Sequence, residues 1–244
     1  MNGDGGDYLS AALLAEATGG SWARAPERAV RGAAIDTRAI GQVDGGQVDG
    51  GPGVDGGRLE EAGPLFVALR GERTDGHRFV RAACDAGAAA AVIDEPSTAE
   101  DAPDGLGVLV VDDARRAMGS IARAWRGVLG AAGVRVVGVT GSNGKTTTVR
   151  MIHAALSHAG LAGTRPAKSY NNDLGVPLTL LNARTDHGYV VCEIGTSGPG
   201  EIAALASIAA PDAGVITSIG RAHLERLGSV AGIAREKSAL LHGV

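Results

Sequence analysis

The chain has 244 residues and a formal net charge of −4; 44% of its residues are apolar and only 3% are aromatic. That length suits one large domain or two ordinary ones, and the core must be built from Val, Ile, Leu and Ala. The charge balance offers no basic stripe for nucleic acid, no apolar run is long enough to span a bilayer, and two distant cysteines, Cys84 and Cys192, make no disulfide framework. The N-terminus lacks the basic and apolar regions of a signal peptide, so a soluble, cytoplasmic chain with no nucleic-acid partner and no membrane insertion is expected.

In chain order, Leu9, Leu13, Leu14 and Ala17 share one helical face, and Gly19-Gly20 ends that helix. Ala33-Ala34-Ile35 reads as a short strand leading into Asp36-Thr37-Arg38. Residues 41–57 contain a tandem GQVDG pentapeptide that degenerates into more glycine, and are expected to be a flexible surface insertion without function. Leu65 to Leu69 reads as a buried strand, Gly71 to Gly76 as a loop, His77 to Ala86 as a helix, and Ala89 to Ile93 and Val108 to Val111 as further strands. Asp112 to Leu129 has the pattern of an amphipathic helix, and the Gly130–Gly133 stretch marks the expected boundary between domains at 1–131 and 132–244. The pattern then restarts: strand 134–139, Gly-rich loop 140–144, helix 145–159, strands 189–194 and 213–217, and a last helix capped by Ser229 and running to about Leu241. Strands alternating with helices predict an α/β fold with largely parallel sheets, and the second half, with three strands, reads as an unfinished doubly wound domain.

The sharpest local signal is Thr140-Gly141-Ser142-Asn143-Gly144-Lys145-Thr146-Thr147 between a buried strand and a helix. Glycines let backbone N–H groups curl around phosphate oxygens, and the helix N-terminus adds the positive end of its dipole. Lys145 suits the β- and γ-phosphates, and the Thr146 hydroxyl suits Mg²⁺. Val139 stands where the strict phosphate-loop pattern has glycine, so the match is to the shorter G-x-x-G-K-T core. Glu193 closes a buried strand at the expected carboxyl edge of the sheet, where ligands of such folds bind. Asn171 and Asn172 can bind a ligand or shape a turn, and Arg38 can meet a diphosphate or an internal carboxylate.

These motifs resemble the Mur ligases, the ATP-dependent amino-acid and peptide adding enzymes of peptidoglycan synthesis. The loop 140–146 has the family's T-G-[ST]-x-G-K-[ST] form. Ser169 to Leu181, Glu193-Ile194-Gly195 with Pro199 to Ile202, and Ile219 to Glu225 with Gly228-Ser229 follow in the family's order. They are most similar to the member that adds D-alanyl-D-alanine to UDP-N-acetylmuramoyl-tripeptide, more than to other Mur ligases or folylpolyglutamate synthases. Asp36 to Arg38, Leu65 to Leu69 and Gly71 to His77 resemble that member's UDP-substrate domain.

The resemblance implies an N-terminal α/β substrate domain followed by a truncated P-loop-type ATP-binding domain, and amide ligation through an acyl phosphate. It implies ATP and Mg²⁺ as cofactors, Thr146, Glu193, His223 and Lys237 as metal-site residues, and Lys145, Glu193, His223 and Lys237 as the catalytic set. Lys237, fourteen residues beyond His223, occupies the place of a lysine that the family uses as a carbamate, which requires a lowered pKa. Thr37, Arg38, Asn171 and Asn172 are implied at the substrate. The family's third domain is expected to be absent from this chain, either encoded separately or missing, which would leave the chain inactive alone or a non-catalytic ATP- or UDP-precursor-binding module.

Overall fold

A computed structural model of the protein describes residues 8–42, 62–72, 74–220 and 224–243, which leaves most of the glycine-rich insertion outside the described residues. Two compact units divide within one helix, between Ala124 and Trp125.

The first unit opens with α1 (Ala11–Thr18). The Ser10 side chain accepts from the Leu13 N–H at its start, and Gly19 adopts φ 67° at its end. Five strands follow, β1 (Ser21–Arg24), β2 (Ala29–Ala34), β3 (Ala62–Val67), β4 (Ala90–Ile93) and β5 (Gly107–Val110), in the sheet order β1-β5-β4-β3-β2. All neighbours are parallel except β1, which runs antiparallel to β5. β3 and β4 are buried along their whole length, as expected of strands covered on both faces. Phe66, Ile93, Leu106 and Val108 pack with Val80 of α2 (Val80–Asp85) in this core. The short α3 (Ser97–Glu100) precedes β5.

Several boundaries differ from the sequence expectation, each for a local reason. β1 has an exposed-to-intermediate alternation with no apolar run, so its pattern carries no strand signal. β2 starts at Ala29, because a register shift between Val30 and Ala33, at Gly32 with φ 70°, hides its first half. β3 begins three residues before Leu65 and ends at Val67, and its Gly63 lies where a Cβ would meet the Ala89 N at 2.9 Å. The stretch expected as one helix from His77 opens with a 3₁₀ turn (Gly76–Phe79) before α2.

The helix α4 (Ala114–Ala131) buries Ala114, Met118, Ile121, Trp125 and Leu129 along one stripe. Its last turns belong to the second unit: the Trp125 indole donates to the Ala183 carbonyl at 3.0 Å, and Arg126 donates to the Ala209 and Ala210 carbonyls.

The second unit holds β6 (Arg135–Thr140), α5 (Lys145–His158), β7 (Gly163–Thr164), α6 (Gly175–Leu181), β8 (Tyr189–Glu193), α7 (Glu201–Ala209), β9 (Ala213–Ile216), α8 (Leu224–Leu227) and α9 (Val230–Ser238). Its sheet is wholly parallel in the order β7-β8-β6-β9. Four strands replace the three expected; β7 is only two residues long, and the Tyr189 ring lies over Gly163 where any side chain would stand. From β6 the chain builds β7 and β8 on one side and then β9 on the other. The carboxyl ends of β6, β8 and β9 therefore flank a topological switch point, the crevice where such sheets bind ligands. α9 is capped by Ser229, whose hydroxyl accepts from Gly232 N at 3.0 Å, and its α-helical part ends at Ser238; a 3₁₀ turn (Ala239–Gly243) continues it and packs Leu240 against Gly138 and Gly214 of the sheet.

Candidate functional site

The β6–α5 loop is built as its glycines require. Gly141 has φ 151° and Gly144 has φ 84°, conformations that side-chain-bearing residues rarely adopt. Gly144 is the N-cap of α5, and no side chain caps that end. The first N–H groups of a helix have no partner within it, so this end is suited to an anion. Lys145 opens the helix with its ammonium folded back onto the Gly141 carbonyl at 2.8 Å.

The loop is locked from the far side by the segment after β9. Thr217 N donates to the Thr140 carbonyl at 2.9 Å and Ser142 N to the Ser218 carbonyl at 2.9 Å. The Thr217 hydroxyl lies 2.5 Å from the Asn143 carbonyl, the Ser218 hydroxyl accepts from Asn143 N at 3.0 Å, and Gly220 N donates to the Ser142 hydroxyl at 2.8 Å. Thr217 and Ser218 carry no sequence motif; the available signal was two hydroxyl residues directly after a short apolar strand.

Glu193, the last residue of β8, is 2% exposed. One carboxylate oxygen accepts from the Thr146 hydroxyl at 2.8 Å and the other from the Asn171 amide at 2.9 Å. Asn171 is held by its own backbone, whose carbonyl accepts from Gly195 N at 2.7 Å. Asn172 has a different role: its side-chain oxygen accepts from Leu174 N and Gly175 N, shaping the entry to α6. Ser142 to Thr147, Ser169, Asn171 and Glu193 together line an open cleft of roughly 400 Å³.

Lys237, on α9, is 3% exposed. Burial, and then the nearby Lys145 cation, pull its amine below the ordinary lysine range against the opposing charge of Glu236. Glu236 was also missed in the sequence. It is buried and accepts from Gly200 N at 2.8 Å and Ile202 N at 2.9 Å, so it caps α7 and docks the helix that carries Lys237. His223 lies outside the described residues. Among the described residues no three His, Cys, Asp or Glu side chains gather into a metal cluster. The oxygens of Thr146 and Glu193, 2.8 Å apart, are nonetheless the hard donors that suit Mg²⁺.

In the first unit, Thr37 opens a 3₁₀ turn, and the exposed Arg38 forms a two-pronged pair with Asp36, with Nε 2.9 Å from Oδ1 and Nη2 2.5 Å from Oδ2. The Gly71–Gly76 loop is fastened by the buried His77, whose Nδ1 lies 2.6 Å from Asp75 Oδ1 and whose Nε2 accepts from Asp94 N at 3.2 Å.

Residues 139–244 match the Mur ligase middle domain, and residues 53–126 match the Mur ligase family catalytic domain. The chain is 43% identical over 192 residues to the UDP-N-acetylmuramoyl-tripeptide--D-alanyl-D-alanine ligase of Bacillus subtilis, covering 77% of this chain and 40% of that protein. It is 35% identical over 260 residues to the enzyme of the same name from Mycobacterium tuberculosis, covering 97% of this chain and 46% of that protein. Among solved structures, MurF from Acinetobacter baumannii superposes with a TM-score of 0.75 at 32% identity, over 98% of this chain and 47% of that one. MurF from Thermotoga maritima in complex with ADP superposes with a TM-score of 0.63 at 29% identity, over 87% of this chain and 43% of that one. The chain thus spans less than half the length of these relatives.

Proposed function

Because the chain belongs to the Mur ligase family, we propose that its second unit binds ATP with Mg²⁺ in the cleft at the end of β6, and that it serves the ligation of D-alanyl-D-alanine to UDP-N-acetylmuramoyl-tripeptide. The observation that carries this reading is the convergence of Lys145, Thr146 and Glu193 on one cleft beside an uncapped helix N-terminus. The substrates are those named for the relatives in Bacillus subtilis and Mycobacterium tuberculosis. The first unit, up to Ala124, is assigned to the UDP-precursor and the second, from Trp125, to the nucleotide, which moves the boundary expected at 131–132 into α4. Ligation itself is proposed of the complete family architecture, of which this chain matches under half.

The residues divide the work as follows. The ammonium of Lys145 leaves the Gly141 carbonyl and meets the β- and γ-phosphate oxygens, with the loop Thr140 to Thr147 wrapped around the phosphates. Thr146, Glu193, His223 and a carbamylated Lys237 are the residues that would hold Mg²⁺. The metal, when bound, supplies positive charge that stabilises the transferring phosphoryl group. The lowered pKa of Lys237 favours the neutral amine that adds to CO₂, giving a carbamate and releasing a proton. In the overall reaction the terminal peptide carboxylate takes the γ-phosphoryl group and ADP leaves. The amine of D-alanyl-D-alanine then displaces phosphate to form the amide. Asn171 orients Glu193 and, with Asn172, is assigned to the substrate side, while Thr37 and Arg38 are assigned to the diphosphate of the UDP precursor, where Arg38 would exchange Asp36 for phosphate oxygens. No helix of the described residues is long and apolar enough to cross a membrane, and a cytoplasmic location is proposed with the pathway.

Calorimetry with ADP–Mg²⁺ tests the assignment. Lys145→Ala should weaken binding roughly tenfold or more by removing a charge-assisted contact; equal affinity in the two proteins would refute it. The second reading, a binding module without turnover, is favoured if the chain binds ATP yet yields no amide from the three substrates.

A further inference from the structure

Ser169 lies on the segment between β7 and α6, far in sequence from the phosphate loop, yet its hydroxyl is 3.1 Å from that of Thr146. Two residues on, Asn171 holds the other side of Glu193. The single proton of the Thr146 hydroxyl goes to the Glu193 carboxylate, which can only accept. Ser169 must therefore be the donor to Thr146. This gives a directed chain of hydrogen bonds from Ser169 to Thr146 to Glu193, with its origin exposed on the cleft that also holds Lys145.

The spacing is informative. Neighbouring ligands of an octahedral Mg²⁺, each about 2.1 Å from the ion, stand roughly 3.0 Å apart. Thr146 and Glu193 are 2.8 Å apart, and Thr146 and Ser169 are 3.1 Å apart. A cation taking the Thr146 lone pair that accepts the Ser169 proton, one of two on that oxygen, would displace the proton and leave the Ser169 oxygen beside the ion. Building on the proposed ATP–Mg²⁺ site, we propose that Ser169 is a further oxygen of that cation site, so that the segment carrying Asn171 and Asn172 responds to whether the nucleotide arrives with its metal.

Manganese, whose unbound aqueous ion is counted directly by paramagnetic resonance, is the probe, used with ADP on the full 244-residue chain. Ser169→Ala should weaken Mn²⁺ binding to the protein–ADP complex roughly tenfold, with metal-free ADP affinity unchanged, and Ser169→Thr, which keeps the hydroxyl, should restore it. Unchanged Mn²⁺ affinity in Ser169→Ala would overturn the proposal. So would an equal loss of metal-free ADP affinity, which would make Ser169 a residue of loop shape only. If the unaltered chain binds no nucleotide, and Lys145→Ala is indistinguishable from it, the nucleotide reading fails and takes this proposal with it.

Discussion

Gly141→Ala tests whether the phosphate loop depends on its contact with the segment after β9. A Cβ at position 141 would overlap the Thr217 hydroxyl oxygen and stand 3.1 Å from both Ser218 N and Thr217 Cβ, on a backbone with φ 151°. Holding a side-chain-bearing residue in such a conformation costs about 1–3 kcal/mol. Moving Thr217 aside also gives up its contact with the Asn143 carbonyl, worth about 1 kcal/mol. The sum, about 2–4 kcal/mol, falls on the loop geometry that a bound phosphate needs, so ADP–Mg²⁺ affinity should drop roughly 30- to 700-fold. A double-mutant cycle isolates the cause. Thr217→Ala removes the overlapping oxygen but leaves the 3.1 Å approaches, so the double variant should bind better than the sum of the single losses predicts, by about 1 kcal/mol. Calorimetry on all four proteins, with melting curves to confirm folding, provides the measurement. A loss under threefold in Gly141→Ala, or additivity within about 0.5 kcal/mol, would refute the reasoning.

Glu236→Ala strands two N–H groups, those of Gly200 and Ile202, and should cost about 2–4 kcal/mol in urea unfolding while raising the labelling of Lys237 by an amine reagent; a variant with unchanged stability and labelling would show that α9 is placed by its apolar face alone. Cys192 is buried, and burial pushes its thiol up to about 12 despite the opposing pull of Arg126. It should therefore resist thiol reagents at pH 8 until the protein unfolds, and native-state labelling of Cys192 as fast as that of half-buried Cys84 would contradict this.

The legible parts of this molecule are those whose cause is local. A phosphate loop announces itself because two glycines, a lysine and a threonine must sit at fixed offsets between a strand and a helix, and Gly141, Gly144, Lys145 and Thr146 are found there with the backbone they imply. Helix α4 was legible because its apolar stripe repeats over 18 residues. What escaped depends on partners distant in sequence. Thr217 reaches Asn143 across 74 positions, Gly200 reaches Glu236 across 36, and Ser169 meets Thr146 across 23. Nothing in the neighbourhood of a serine or a glutamate says which backbone it will meet. β7 escaped because two residues, one of them glycine, generate no periodicity. The two asparagines read alike in sequence, and only packing separates Asn171, against Glu193, from Asn172, in a turn. Of the residues assigned to the metal, Thr146, Glu193 and Lys237 are placed by the fold, while His223 lies outside the described residues.

Asp212 is the acidic counterpart of those long-range pairs, and its charge makes the dependence measurable. It stands just before β9, where Oδ2 accepts from Val136 N at 2.7 Å and from Arg126 Nη2 at 2.8 Å, and Oδ1 accepts from Arg135 Nη1 at 3.0 Å. The carboxylate thereby ties the starts of β6 and β9 to the end of α4, and the opposite ends of the same two strands carry the phosphate loop and Thr217. Burial alone would raise its pKa, but the Val136 N–H and the Arg135 and Arg126 guanidiniums outweigh it and hold the group below the ordinary aspartate value. A folded-state pKa below the unfolded one means stability that is present above the unfolded value, near 3.9, and lost as pH falls through the folded value. Arg135 is 74% exposed and adds little; the other two bonds set the scale, so Asp212→Asn should cost about 2–4 kcal/mol at pH 7. With Trp22 changed to Phe, Trp125 alone reports unfolding of the second unit, and urea curves of the Asp and Asn forms can be compared at several pH values. The gap should be flat from pH 8 to about pH 5 and should close below about pH 4. A gap that stays constant down to pH 3 would mean that the shape of the side chain, and not its charge, joins the two strands.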